Sequence, residues 1–206
     1  MKKGLYILMF LSFSSLYAQK LIRKILPELK STAIQINAEK CFSVVVETIK
    51  TDEIIVEAKI DGEYKKNIVV EFIEEGATLI INPTFQPNFK TPNDKLSAHK
   101  VISIALTVKV PEYAELQLYG TSCNVAITGQ YSNLDIVLND GSCVLTKVGE
   151  YAKVNTQSGA ITVYTNKGQV EATSSYGIIK KDRIAYGDYV FSLKSITGNI
   201  DIKNVN

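Results

Sequence analysis

The stretches "YGTSCNVAITGQY" (119–131) and "NDGSCVLTKVGEY" (139–151) read almost alike. Each carries Ser-Cys, a run of β-branched and aliphatic residues, a glycine, an acid or amide, and a tyrosine. The interval from Cys123 to Cys143 equals the interval from Tyr131 to Tyr151. Outward from this pair, Gly129-Gln130-Tyr131, Gly149-Glu150-Tyr151, Gly168-Gln169-Val170 and Gly187-Asp188-Tyr189 recur at nearly the same interval. A second row of small-residue corners lies between them: Ser122-Cys123, Ser142-Cys143, Ser158-Gly159, Tyr176-Gly177 and Thr197-Gly198. A fixed period of about 20 is the mark of stacked units that bury an apolar face against their neighbours.

Two all-β arrangements fit. In a parallel β-solenoid each repeat is one coil, and equivalent residues stack at about 4.8 Å. In an antiparallel meander or sandwich each repeat is a hairpin, and equivalents lie two strands apart, at about 9.6 Å. The corners are unequally spaced, which favours coils that bulge at corners over hairpins of matched length. The expectation is therefore a β-solenoid of ~19–20-residue repeats, with the meander as alternative. Stacked coils would bring Cys123 and Cys143 within reach of a disulfide, whereas hairpins would hold them too far apart. The alternative for the pair is two small apolar side chains filling a tight corner.

The first half has a period of two. "VISIALTVKV" (101–110) alternates apolar and polar residues until Pro111, and "FSVVVET" (42–48), "EIIVEAKI" (53–60), "NIVVEFIEEG" (67–76) and "ATLIINP" (77–83) read the same way. Helical spacing appears only in "KLIRKILPELK" (20–30), where Pro27 would interrupt it, so this segment reads as a leader or edge element. The segment 84–100 has no strand pattern. It holds Phe85, Phe89 and the single His99, and reads as a loop whose phenylalanines cover an open end of the β-structure.

The chain opens with a basic, apolar, small-residue order, "MKKGLYILMFLSFSSLYA", the pattern of an export signal cut after Ala18. The organisation expected is a signal peptide at 1–18, a leader at 19–30, a β-strand region at 31–110 and a repeat region at 111–206 continuous with it. Loss of Lys2 and Lys3 leaves 21 basic against 21 acidic side chains. That balance gives no electrostatic case for nucleic acid, and no transmembrane anchor is expected in the mature chain.

No catalytic, cofactor or metal constellation assembles. One histidine cannot form a zinc cluster, the three cysteines lack C-x-x-C spacing, and no nucleophile or phosphate-loop motif is present. Asp135, Asp140, Glu150 and Asp188 are the acids that a β-helix lyase or hydrolase would need on one face, but each also suits a turn or solvated strand. Tyr131, Tyr151 and Tyr189 share one repeat position, with Val170 in the fourth. They read as a ladder of core rings or as a platform for a sugar or partner chain, with Phe85 and Phe89 as further candidates.

The export signal, the break at Val110-Pro111, and "ELQLYGTSCNVAITG", "LDIVLNDGSCVLTKVG", "AKVNTQSGAITV" and "SITGNIDIKNV" together resemble the auto-transporter adhesin head (Gly-Ile-Asn) domain-like family of exported β-repeat proteins from Gram-negative bacteria. The similarity spans residues 31–206. Gly159, Gly177 and Gly198 match the turn glycine of that family, while Cys123 and Cys143 replace it. The resemblance implies a periplasmic or surface location, no cofactor, and a non-catalytic adhesin-like role toward a polysaccharide or envelope protein. The alternatives are a polysaccharide lyase or hydrolase on a β-helix, and a structural periplasmic spacer.

Overall fold

The computed structural model describes residues 19–27, 33–89 and 102–205. The expected signal peptide, the end of the leader and the part of the 84–100 loop that carries His99 lie outside the described residues. Within them the protein is all-β, with one short 3-10 turn at Lys65–Asn67 and no α-helix.

The alternating segments of the first half form β1 (Lys20–Leu26), β2 (Ala33–Asn37), β3 (Ser43–Ile49), β4 (Ile54–Gly62), β5 (Ile68–Glu75), β6 (Thr78–Phe85) and β7 (Ile102–Pro111). The repeats form β8 (Ala114–Thr156), β9 (Ala160–Thr165), β10 (Lys167–Ser174), β11 (Ile179–Lys181), β12 (Ala185–Ser195) and β13 (Ile200–Asn204). All belong to one connected sheet, whose main path runs β1-β4-β7-β3-β8-β2-β6-β5. β1–β4, β4–β7 and β5–β6 are antiparallel. β2 pairs in parallel with β6 and β8, and β3 with β7 and β8. The pairs β8–β9, β8–β12, β9–β13, β10–β12 and β11–β13 are parallel too.

The order of strands in space is not their order in the chain. β12 lies between β8 and β10, and β13 lies between β9 and β11. The last turn of chain therefore slots between the two before it, and β10 and β11 form the outer end. Inward positions such as Leu134, Ile136, Leu145, Val154, Ile161 and Leu193 are buried. On β10 the corresponding Val170 and Ala172 are only partly buried, because among the described strands β10 pairs with β12 alone. At the opposite end the segment with helical spacing is an edge strand, β1. Its Lys20 ammonium donates to the Ile68 carbonyl on β5 at 2.7 Å, and its Lys24 ammonium lies 4.2 Å from the Phe72 ring centre. β1 and β5 thus meet and close that end.

Side-chain bonds reveal the true length of the repeat. Asn133 to Glu115 (3.4 Å), Ser142 to Asn124 (2.8 Å), Lys153 to Asp135 (3.4 Å) and Ser158 to Asp140 (3.0 Å) all join partners with a sequence separation of 18. The step is thus shorter than the interval between the two Ser-Cys pairs. Cys123, Gly141, Gly159 and Gly177 form one row of corners at this same step, and Gly198 joins the row after a longer one. A Cβ on Gly141 would fall on the Cys123 carbonyl, one on Gly198 on the Gly159 carbonyl, and one on Gly177 on the Gly198 carbonyl. The backbones approach so closely here that no side chain fits between them. The alignment of Cys123 with Cys143 is a two-residue slip. Because strand side chains alternate with period two, such a slip keeps each residue on its own face, and both cysteines do point inward.

Three of these corners share a hydroxyl three residues before the glycine. Thr156 Oγ1 donates to the Gly159 carbonyl at 2.7 Å, Ser195 Oγ accepts from the Gly198 amide at 2.9 Å, and Ser174 Oγ accepts from the Gly177 amide at 3.0 Å. The hydroxyls hold corner groups that the strand ladder leaves unpaired. Gly198→Ala is expected to cost about 1–3 kcal/mol, since the intruding methyl meets backbone that cannot rotate away. Thermal unfolding should then begin roughly 2–12 °C lower. An unchanged transition would show that the close approach does not set the register.

Candidate functional site

The same step lines up a second row of corners on the other side of the stack. Gly129, Lys147 and Thr165 occupy one level of it, and Gln130, Val148 and Asn166 the next. The strand that enters β12 carries more residues than its partner here: Lys167 pairs with Ala185, but Gln169 pairs with Val190. The surplus holds Gly187-Asp188-Tyr189. A cavity of about 300 Å³ opens where this bulge meets the regular corners. Val148, Thr165 and Val205 line it together with Gln130, Lys147, Asn166 and Tyr189.

Its walls are fixed by local bonds. The Gln130 amide nitrogen Nε2 donates to the Lys147 carbonyl at 3.0 Å, and the Gln130 backbone N–H donates to Thr48 Oγ1 at 3.2 Å. Lys147 is held at φ 54° and Glu150 at φ 59°, in the left-handed region that non-glycine residues seldom occupy. A Cβ on Gly149 would displace the Gln130 side-chain oxygen and lie 3.4 Å from the Tyr189 ring. Thr165 Oγ1 donates to the Lys167 carbonyl at 2.7 Å, and the Lys167 ammonium sits 4.8 Å from the Tyr189 ring centre. By contrast, among the described residues the Lys147 ammonium, the Asn166 side-chain amide and the Tyr189 hydroxyl make no hydrogen bond within the protein. The groove presents fixed walls and free polar ends.

The tyrosines expected in one row occupy three environments. Tyr131 is buried and donates to the Thr128 carbonyl at 3.2 Å. Tyr151 pairs with Val190 on the outer strand face, and Tyr189 lines the groove. Val170 is level with Phe191, not with a tyrosine. Phe85 and Phe89 stack with centres 4.6 Å apart, and Tyr64 meets both edge-on. Cys41, Cys123 and Cys143 are free and buried. Cys143 pairs with Ile161, and Gly141 takes the place beside Cys123. The bond considered for the pair is absent because the two cysteines are out of register.

The four acids considered for catalysis are spread over the surface. Asp135 pairs with Lys153 at 3.4 Å on a strand face, and Asp140 accepts from Ser158 at a first-row corner. Glu150 and Asp188 are exposed at the second row of corners. No group of three or more His, Cys, Asp or Glu among the described residues is placed to hold a metal, and no described helix is long and apolar enough to cross a membrane. Sequence reading missed Gln130, Lys147 and Asn166, whose only signal is the ordinary turn chemistry around Gly129, Gly149 and Gly168.

No protein-family model matches this sequence, and no curated protein does. Solved structures do. A crystal structure from Clostridium sporogenes, named a "putative cell adhesion protein", superimposes with a TM-score of 0.57 at 13% identity, covering 91% of this chain and 100% of that one. A "putative lipid binding protein" from Parabacteroides distasonis matches with a TM-score of 0.43 at 14% identity, covering 91% of this chain and 97% of that one. At this identity the first likeness shows a shared fold and nothing of activity.

Burial pushes the thiols of Cys41 and Cys143 up from their ordinary 9.0 to about 12, and that of Cys123 to about 11. The unfolded chain would release these protons near pH 9, while the folded chain holds them. Their contribution to stability is complete below pH 9 and is lost as pH rises toward 12. The urea midpoint should fall over that range, and replacing Cys143 with alanine should flatten the fall. A thiol reagent at pH 8 should label none of the three in the folded protein and all three in urea. Rapid labelling of Cys123 without denaturant would contradict its placement.

Proposed function

We propose that this chain is a non-catalytic, exported, adhesin-like protein of a Gram-negative envelope, built as a β-solenoid-like stack that presents its outer surface to a polysaccharide or protein partner. The observation that carries this reading is the second-row groove, where the Lys147 ammonium, the Asn166 amide and the Tyr189 hydroxyl, none hydrogen-bonded among the described residues, converge on fixed walls. Binding sites of this kind are concave, largely preformed and supplied with a few convergent polar groups. Export rests on the basic, apolar, small-residue start of the chain. The shared fold with a protein named for cell adhesion is in keeping with the role, as is the resemblance to the adhesin head family. The scattered acids speak against glycoside chemistry, which needs two carboxylates across one bond.

A glycan array and a pull-down from envelope extract test the proposal. Retention of a defined glycan class or envelope protein by the folded chain is expected. Folded protein that retains neither would sink the binding role and leave the spacer reading.

A further inference from the structure

The groove at the second row of corners has a charge preference that follows from its lining. Lys147 supplies an ammonium, Gln130 and Asn166 supply amides, Tyr189 a ring and a hydroxyl, and no carboxylate is among the described lining residues. Lys167 adds a second ammonium beside the Tyr189 ring. The nearest carboxylates in sequence, Glu150 and Asp188, are exposed and outside the lining. Lys147 forms no ion pair among the described residues, although its backbone is held in a conformation that few lysines adopt. Gln130 Nε2 holds the Lys147 carbonyl and so fixes this backbone, while the ammonium end stays exposed toward the groove.

We propose that this groove binds the ring of a carboxylate-bearing sugar, the carboxylate on Lys147 and the ring hydroxyls on Asn166, Gln130 and Tyr189. The proposal rests on the adhesin-like reading and narrows its partner to acidic saccharides. The cavity of about 300 Å³ stands at the small end of ligand pockets, so it accepts one ring and leaves the rest of a chain outside. Amides and a tyrosine hydroxyl serve as both donors and acceptors, which suits a polyol. The Lys147 ammonium, the one cation among the described lining residues, selects the anion. Such a ring could stand inside a uronic-acid polymer or at the tip of a sialylated glycan, and the chemistry of recognition is the same.

The test is calorimetric titration of the folded protein with galacturonic acid, sialic acid and galactose, then with an oligogalacturonide and sialyllactose to separate the two sources. Both free acids should bind at least tenfold more tightly than galactose. Lys147→Asn should weaken the acids by about ten- to a hundredfold and leave galactose unchanged, because asparagine tolerates the left-handed backbone that position requires. Lys153→Gln, on a strand face away from the groove, serves as the control and should change nothing. Equal binding of acid and neutral sugars, or acid binding that survives Lys147→Asn, overturns the proposal while leaving a glycan-binding adhesin intact. If no sugar binds and only a protein is captured, with capture indifferent to Lys147, the saccharide assignment is overturned too. Failure of both array and pull-down defeats the broader reading as well.

Discussion

Everything regular in this protein follows from the distance between neighbouring backbones at the first row of corners. At Cys123, Gly141, Gly159, Gly198 and Gly177 each corner lies against the backbone of its neighbour, and a Cβ on Gly141, Gly198 or Gly177 would fall on a carbonyl. Strand pairing sets a spacing of about 4.8 Å. A corner whose inward residue has no side chain lets that spacing continue through the turn. Once one corner is seated on the next, the alternation of the flanking strands decides which side chains enter the core. The hydroxyls of Thr156, Ser195 and Ser174 then satisfy the amide and carbonyl groups that the turn exposes.

The strands themselves were legible because alternation is a local signal. β3, β4, β5, β6 and β7 fall where "FSVVVET", "EIIVEAKI", "NIVVEFIEEG", "ATLIINP" and "VISIALTVKV" place them, with glycine at φ 107° and 60° at the Gly62 and Gly76 turns. The repeat was legible as a repeat, but its register was not. Ser122-Cys123 resembles Ser142-Cys143 more than it resembles Asp140-Gly141, so composition favoured the longer period. The real equivalence is a property of backbone contact, which places Gly141 beside Cys123. The Ser/Thr-x-x-Gly pattern at 156–159, 174–177 and 195–198 was the sequence signal that would have fixed the register.

The order of the last strands was not legible at all. Residues 167–181 continue the regular step as though they were the next coil, and they do carry the next glycine, Gly177. Yet the chain returns and inserts β12 and β13 beneath them. Burial explains why this arrangement suits the sequence. Phe191, Leu193, Ile200 and Ile202 need cover on both sides and are fully buried, whereas β10 and β11 are rich in Lys167, Glu171, Lys180 and Lys181 and tolerate an open edge. Tyr176, 81% exposed between β10 and β11, marks that outer end. Charged side chains on an edge also discourage further strand addition.

The groove is a consequence of the same insertion. A coil of regular length and a longer one can share the first row of corners only if the longer one stores its surplus elsewhere. It stores that surplus at the second row, as Gly187-Asp188-Tyr189. The bulge holds Tyr189 away from the core position that Phe191 fills and sets it beside Gln130, Lys147 and Asn166, which belong to coils of regular length. A concave surface with free polar ends thus arises at the mismatch between two repeat lengths. The part of the repeat that departs from its period is thus the part that shapes the groove.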